Sequence, residues 1–182
     1  PTKTRMWAVD FFDENLGLMV GEMGEIFRTT DGGTNWQLIN VGTDKTLRSV
    51  KFLTQTRAYA VGDGGEVYRS TNSGQSWAKQ SVGTSVDLNR LFFANQDTGY
   101  VATADGKIVR TFNSGNNWSI QNTGQSAALN DIYFTSPKIG YTVGQAGTIL
   151  KTIDAGSTWN LVTSGTERNL TALSFNKANP NI

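Results

Sequence analysis

The sequence predicts an all-β fold, a β-propeller built of four-stranded antiparallel blades, and three observations carry that prediction. The stretch Arg28 to Trp36 returns at Arg69 to Trp77, Arg110 to Trp118 and Lys151 to Trp159, so that four tryptophans stand 41 residues apart. Self-similarity at a fixed period of that size marks a repeat architecture. Within each period, apolar residues alternate in short runs bounded by polar turns, the pattern of half-buried strands, and no segment with helical periodicity exceeds a turn. Glycine recurs at fixed joints. About 40 residues holding four short strands is the size of a propeller blade, which cannot bury both faces alone and stacks on its neighbours.

Each element follows from a column of the repeat. The first and innermost strand carries Phe11, Phe52, Phe93, Phe134 and Phe175, preceded by Val9, Val50, Leu91, Ile132, Leu173 and by Met6, Leu47, Leu88, Leu129, Leu170. The second carries Leu18, Tyr59, Tyr100, Tyr141 with Val20, Val61, Ala102, Val143, and the third carries Ile26-Phe27, Val67-Tyr68, Ile108-Val109 and Ile149-Leu150. The tryptophans open the fourth. Gly24, Gly65, Gly106 and Gly147 sit between second and third strands, where a tight hairpin needs positive φ. Gly42, Gly83, Gly124 and Gly165 mark the crossovers between repeats.

We read residues 1–182 as a single repeat domain with blades at approximately 5–42, 46–83, 87–124 and 128–165, followed by an extra strand at 169–176 that begins a fifth repeat. Because both ends carry a first strand, the expectation is a partial propeller. It is either a fragment of a longer chain or one of several chains that complete a ring. A closed four-bladed ring with a spare strand is the alternative. Open blade ends would expose apolar surface and favour association.

Composition narrows the function classes. A hydrophobic fraction of 37% with 17% charged residues is globular, and the net charge of +1 offers no basic excess for nucleic acid. With no cysteine and no histidine, disulfides, thiolate or imidazole metal sites and the usual general base are excluded. No apolar run approaches the roughly 20 residues of a membrane-spanning helix. The chain starts at Pro1 without a leader, so a signal peptide is expected to have been removed or to lie outside the sequence.

At the Trp-ended turn, Thr29-Thr30-Asp31-Gly32-Gly33-Thr34-Asn35-Trp36 resembles the Asp-box of bacterial neuraminidase-type repeats, and Thr152-Ile153-Asp154-Ala155-Gly156-Ser157-Thr158-Trp159 matches it most fully. The equivalents are Asn72, Gly74, Trp77 and Asn113, Gly115, Trp118. Physically this is a structural turn in which a short carboxylate or amide accepts backbone N–H groups, glycine takes the left-handed position and tryptophan packs beneath. Asn in two copies costs that turn little and counts against a metal site. Across the repeat, Asn130-Asp131-Ile132-Tyr133-Phe134, Ile139-Gly140-Tyr141-Thr142-Val143-Gly144 and Gly147-Thr148-Ile149-Leu150-Lys151-Thr152 resemble the photosystem II stability/assembly factor-like propellers. That resemblance implies a non-catalytic scaffold acting outside the cytoplasm, secreted, periplasmic or lumenal, with a protein partner and no cofactor.

Two groups of residues are candidates for binding. Arg28, Arg69, Arg110 and Lys151 precede each Asp-box. They would form a basic patch for a carboxylated partner, as the resemblance implies, or pack their stems between blades, and repetition in every blade favours packing. The second group lies where the hairpins between second and third strands meet the crossovers: Glu22 and Asp63 in one column, Trp7 and Arg48 in another, and Arg90 and Asp131 beside them. Mixed acids, arginines and a tryptophan suit a polar ligand, and equally suit solvated loops.

Catalysis is the rival class. A sialidase-like enzyme would need a cluster of arginines for the substrate carboxylate and a Tyr-Glu nucleophile pair, and a xyloglucanase-like hydrolase paired carboxylates about 5 to 10 Å apart. Glu22, Asp63 and Asp131 are the available acids, yet nothing in their spacing sets that distance, and no catalytic residue is assigned. The reading is therefore an extracytoplasmic protein-binding or scaffold module, with self-association through open blade ends and carbohydrate binding or a glycoside hydrolase fragment as alternatives.

Overall fold

The structure is a computed structural model that describes residues 4–175. It contains four antiparallel four-stranded sheets, each in simple up-and-down order. The first is β1 (Met6–Phe11), β2 (Gly17–Gly21), β3 (Glu25–Thr29) and β4 (Gln37–Asn40). The second is β5 (Leu47–Phe52), β6 (Ala58–Gly62), β7 (Val67–Ser70) and β8 (Ala78–Gln80). The third is β9 (Leu88–Phe93), β10 (Gly99–Thr103), β11 (Ile108–Thr111) and β12 (Ser119–Gln121), and the fourth is β13 (Leu129–Phe134), β14 (Gly140–Gly144), β15 (Ile149–Thr152) and β16 (Asn160–Val162). These are the blades of a partial β-propeller. No helix among the described residues is long and apolar enough to cross a membrane.

The chain divides into two compact units, Pro1–Leu91 and Phe92–Ile182, with the boundary inside β9. In the first unit, Leu18, Val20 and Ile26 of the first blade pack with Leu47, Val50, Ala58, Ala60 and Tyr68 of the second. In the second unit, Tyr100, Ala102 and Ile108 of the third blade pack with Leu129, Ile132, Phe134, Leu150 and Trp159 of the fourth. Tyr100 stacks on Phe134 with ring centroids 3.9 Å apart. Its hydroxyl donates to the Ala155 carbonyl at 2.9 Å. Burial pushes that phenol up to about 12.

Two features depart from the sequence reading. Between second and third strands, the turn is wider than a two-residue hairpin in all four blades, and in three of them it is helical. One-turn 3₁₀ segments span Glu22–Gly24, Asp63–Gly65 and Gln145–Gly147. In each, a residue before the expected glycine is also left-handed: Met23, Gly64 and Ala146. The expected extra strand is the second departure. Residues 169–175 form no strand ladder, because among the described residues no further strand lies beside them; residue 176 falls outside the described residues.

Candidate functional site

The rim of the first unit is shaped by bulges and by glycines. Register slips between Met6 and Ala8 and between Leu47 and Ser49, which leaves Trp7 and Arg48 bulged out of the first strands. A bulge re-aims its side chain, and bulges concentrate at functional edges. Beside each bulge, the hairpin passes so close to the incoming chain that only glycine fits. A Cβ on Gly21 would lie 2.4 Å from the Arg5 carbonyl, and one on Gly62 would lie 2.0 Å from that of Thr46. Glu22 N–H donates to the Arg5 carbonyl at 3.0 Å and Asp63 N–H to that of Thr46 at 2.9 Å.

This framework collects the side chains singled out from sequence in the first two repeats. Trp7 is 44% exposed. The guanidinium carbons of Arg5 and Arg48 lie 5.5 and 5.6 Å from its ring centroid, within cation–π range. Arg48 is ion-paired with Asp63 and lies 3.6 Å from the Asp87 carboxylate. Asp87 also accepts the Gly64 N–H at 2.9 Å. Glu22 accepts the Arg5 N–H at 3.2 Å. A shallow depression of about 440 Å³ adjoins Gly64, lined by Gly65, Lys79, Gln80, Val82 and Thr84 among others. Arg5, Asp87 and this depression were not singled out from sequence. Arg5 and Asp87 do share one column of the repeat, where spacing from Trp7 and Arg48 could have flagged them.

Asp131 does not belong to that rim. It is 7% exposed. One carboxylate oxygen accepts the Ile132 N–H at 2.9 Å and the other accepts the Leu173 N–H at 2.8 Å, 42 residues on. Ser49, two periods earlier, accepts the Leu91 N–H at 3.2 Å. The column therefore ties a first strand to the chain segment that follows its blade. Arg90 lies on β9, half-buried. In the fourth blade the bulged position is Asn130, whose amide donates to the Leu170 carbonyl at 2.8 Å.

Two members of the basic column, Arg28 and Arg110, lie between blades. Arg28 Nε donates to the Ser73 carbonyl at 2.7 Å. Arg110 reaches the Ala155 carbonyl at 3.2 Å and the Ser157 hydroxyl at 3.3 Å. Burial holds the Arg110 guanidinium below its ordinary pKa. Arg69 lies over the Tyr59 ring and Lys151 over that of Tyr141. Arg28 and Arg110 thus contact the Trp-ended turn one blade further along within their unit.

Those turns are built as the residue types predict, with one addition. Asp31 accepts from the Asn35 N–H at 2.9 Å and the Thr29 hydroxyl at 2.8 Å, and Asn72 accepts from the Ser76 N–H and the Ser70 hydroxyl at 3.0 Å each. Asn113 accepts from the Asn117 N–H at 2.9 Å, and the Trp77 indole donates to the Gly74 carbonyl at 3.1 Å. The Thr158 hydroxyl and N–H, with the Thr152 hydroxyl, hold the Asp154 carboxyl down to about 2. The addition is a second left-handed residue before the glycine: Gly32, Ser73, Ser114 and Ala155 precede Gly33, Gly74, Gly115 and Gly156. No group of three or more acidic side chains among the described residues is placed to hold a metal ion.

Comparison with known proteins adds the following. A family model described as the DUF6242 beta propeller domain matches residues 3–131. A second, described as photosynthesis system II assembly factor YCF48, matches residues 111–181. No curated protein matches. Among solved structures, YCF48 bound to a D1 peptide aligns at a TM-score of 0.59 and 18% identity, covering 88% of this chain and 81% of that one. An ancestral GH74 enzyme aligns at a TM-score of 0.73 and 19% identity, covering 90% of this chain. The GH74 enzyme of Niastella koreensis aligns at 0.68 and 17%, covering 82% of this chain. The chain spans only 26% and 28% of those two enzymes. At such identities these likenesses establish the fold alone.

Proposed function

The chain belongs to the DUF6242 β-propeller family, and from that premise we propose that it is a non-catalytic binding module that holds an extended segment of a protein partner on the rim of its first unit. The observation that carries this reading is Trp7. Its half-exposed indole stands on a bulge between two guanidiniums, and Arg48 is fixed from behind by Asp63 and Asp87. Tryptophan and arginine are the residue types that concentrate binding energy in protein interfaces. A backbone carbonyl or carboxylate of a partner would meet the guanidiniums of Arg5 and Arg48 while an apolar side chain covers the indole.

Peptide binding by the YCF48 structure supports the class of ligand and not its identity. On this reading the rim acids position cations and backbone, since Asp63 and Asp87 share Arg48 and Glu22 accepts the Arg5 backbone N–H. Placement outside the cytoplasm is part of the proposal, resting on the resemblance of the repeats, and cell fractionation of the native host tests it.

The deciding experiment applies the purified chain to a peptide array and a glycan array, with Trp7→Ala and Arg48→Ala in parallel. Peptide signals that fall at least about tenfold in both variants, equivalent to about 1.4 kcal/mol each, support the reading. Glycan signals without peptide signals, or turnover of a β-glucan, overturn it.

A further inference from the structure

One of the four Trp-ended turns differs from the others in what its side chains bind. In the first, the Asn35 amide donates to the Asp31 carboxylate at 2.8 Å; in the second, the Asn72 amide donates to the Ser76 hydroxyl at 2.9 Å; in the fourth, the Thr158 hydroxyl donates to the Asp154 carboxylate at 2.6 Å. Each of these bonds joins the Asp or Asn of the turn to the residue four places on. In the third turn that pair is Asn113 and Asn117. The Asn113 carbonyl accepts the Thr111 hydroxyl at 3.1 Å and the Asn117 backbone N–H at 2.9 Å. Its NH₂ group, and both ends of the Asn117 side-chain amide, have no hydrogen-bond partner among the described residues. The third repeat has a full repeat on either side in the sequence, so the free amides are a property of this turn itself.

Both asparagines line an open depression of about 240 Å³ beside β12, together with Arg110, Phe112, Trp118 and Ser119. Phe112 is 51% exposed. Its column holds Thr30, Thr71 and Ile153 in the other repeats, so the third repeat alone supplies a second aromatic ring to its tryptophan. The Trp118 ring is held edge-on by Phe93, with centroids 6.5 Å apart. The Arg110 guanidinium carbon lies 4.4 Å from the Phe112 ring centroid, within cation–π range, and braces that ring. The same guanidinium donates to the Ala155 carbonyl and the Ser157 hydroxyl. No carboxylate lines the depression. Its walls are therefore two aromatic rings, two amides with free groups, a hydroxyl and one cation already committed to acceptors of the chain.

We propose that this depression is a binding site for one pyranose ring of a neutral carbohydrate. Its volume lies below the roughly 300–1,000 Å³ of pockets for drug-sized ligands, which suits a single ring and not a chain of them. A pyranose presents C–H groups on its faces and hydroxyls around its edge. The C–H faces match Phe112 and Trp118, whose rings offer large apolar area. Each hydroxyl both donates and accepts, and a primary amide does the same, so the free Asn113 NH₂ and the Asn117 amide pair with neighbouring hydroxyls. A cationic ligand would find no carboxylate, and an anionic one would compete with Ala155 and Ser157 for Arg110. A proline-rich peptide would meet the rings but brings no N–H for the Asn117 carbonyl, which would be left unpaired at a cost. The site uses residues of the second unit alone and stands independently of peptide binding at the rim of the first.

The test titrates the isotope-labelled chain with cellotetraose, mannotetraose, chitotetraose, tetragalacturonate and a polyproline peptide, following the Trp118 indole and the Asn113 and Asn117 side-chain amides by nuclear magnetic resonance. At least one neutral oligosaccharide is expected to shift all three, with Kd on the order of 1 mM, the scale that about a dozen non-hydrogen atoms support. Phe112→Thr gives the third repeat the residue of the first two, and Asn117→Ser gives it the serine that pairs with Asn72 in the second, so the fold already carries both replacements. Each is expected to weaken binding by about fivefold or more, the scale of one aromatic contact or one hydrogen bond. Ile153→Thr, the same replacement one repeat on, is expected to leave it unchanged. Peptide signals assigned to the rim are expected to persist in Phe112→Thr, so the two readings fail separately. The proposal is overturned if no neutral oligosaccharide shifts these resonances at about 10 mM, if either Phe112→Thr or Asn117→Ser binds as the parent does, or if tetragalacturonate or the polyproline peptide binds there in place of the neutral sugars.

Discussion

Replacing Gly62 with alanine isolates what the close hairpin contributes to the rim. Gly62 has φ of −168°, extended backbone that any residue adopts, so the cost is purely one of space. Its new Cβ would lie 2.0 Å from the Thr46 carbonyl oxygen and 2.8 Å from the Leu47 Cα, both backbone atoms that cannot rotate away. Reaching ordinary contact at 3.4 Å or more requires the hairpin to retreat by over an ångström. That movement breaks the 2.9 Å bond from Asp63 N–H to Thr46, worth about 1 kcal/mol, and adds overpacking strain of about 1–3 kcal/mol. The sum is about 2–4 kcal/mol. Gly42 is the control, since it has φ of +76° and nothing within 4 Å of its ideal Cβ. There alanine costs about 1–2 kcal/mol of left-handed strain, offset by about 0.4–1 kcal/mol of lost unfolded-state entropy. Urea unfolding followed by tryptophan fluorescence compares the two at constant m. The reasoning fails if Gly62→Ala costs no more than Gly42→Ala.

The other predictions concern acid, the basic column and the rim. Asp154 titrates at about 2 in the folded chain and near 3.9 unfolded. Its contribution is therefore complete above about pH 4 and lost as pH falls toward 2. Asp154→Asn is expected to leave neutral-pH stability nearly unchanged, as Asn72 and Asn113 keep the same turn, and to flatten the stability profile between those pH values in acid titration. Arg28→Met keeps the stem and removes the donor to Ser73; the expected loss is about 1–2 kcal/mol, seen as a lower urea midpoint. If Arg28 were instead a free patch residue, the midpoint would not move. Asp87→Asn is expected to weaken peptide binding at the rim less than Arg48→Ala, because Asp63 still pairs with Arg48, and titration calorimetry with an array-selected peptide ranks the two.

The period made the fold legible: every sheet falls where the columns of apolar residues and glycines put it, because each blade buries the same positions against the next. Local geometry was less accessible. The bulges at Trp7 and Arg48 arise from a register shift between strands, which alternation along one strand does not encode. Met23 and Ala146 adopt positive φ although neither residue type signals it. Asp131 read as a rim acid because its column also holds Arg90, yet its position is inward-facing and its carboxylate binds backbone N–H groups. A carboxylate at a periodic position looks alike in sequence whether it faces solvent or laces two segments together. Asp87 was passed over for the opposite reason, since its value lies in a partner, Arg48, that sits 39 residues earlier in the chain.

The proposed rim site draws on two repeats and not on the propeller in general. In the hairpin column, Glu22 and Asp63 give way to Ala104 and Gln145, and in the bulge column Trp7 and Arg48 give way to Asn89 and Asn130. The first two repeats therefore carry an aromatic ring with charged partners, while the last two carry amides and a methyl group at the same places. Where these columns do reappear in the second unit, their side chains serve the chain itself, as Asn130 does in holding the Leu170 carbonyl. Positions that every blade shares, such as Arg28 and Arg110, reach the neighbouring turn and stabilise stacking. Divergence between repeats is not by itself a mark of binding, because Ser49 and Asp131 stand in a column that differs in every repeat and still tie a first strand to the segment after its blade. Moving Trp7 and Arg48 onto Asn89 and Asn130 would not transfer binding, because Ala104 and Gln145 offer no carboxylate to fix the arginine.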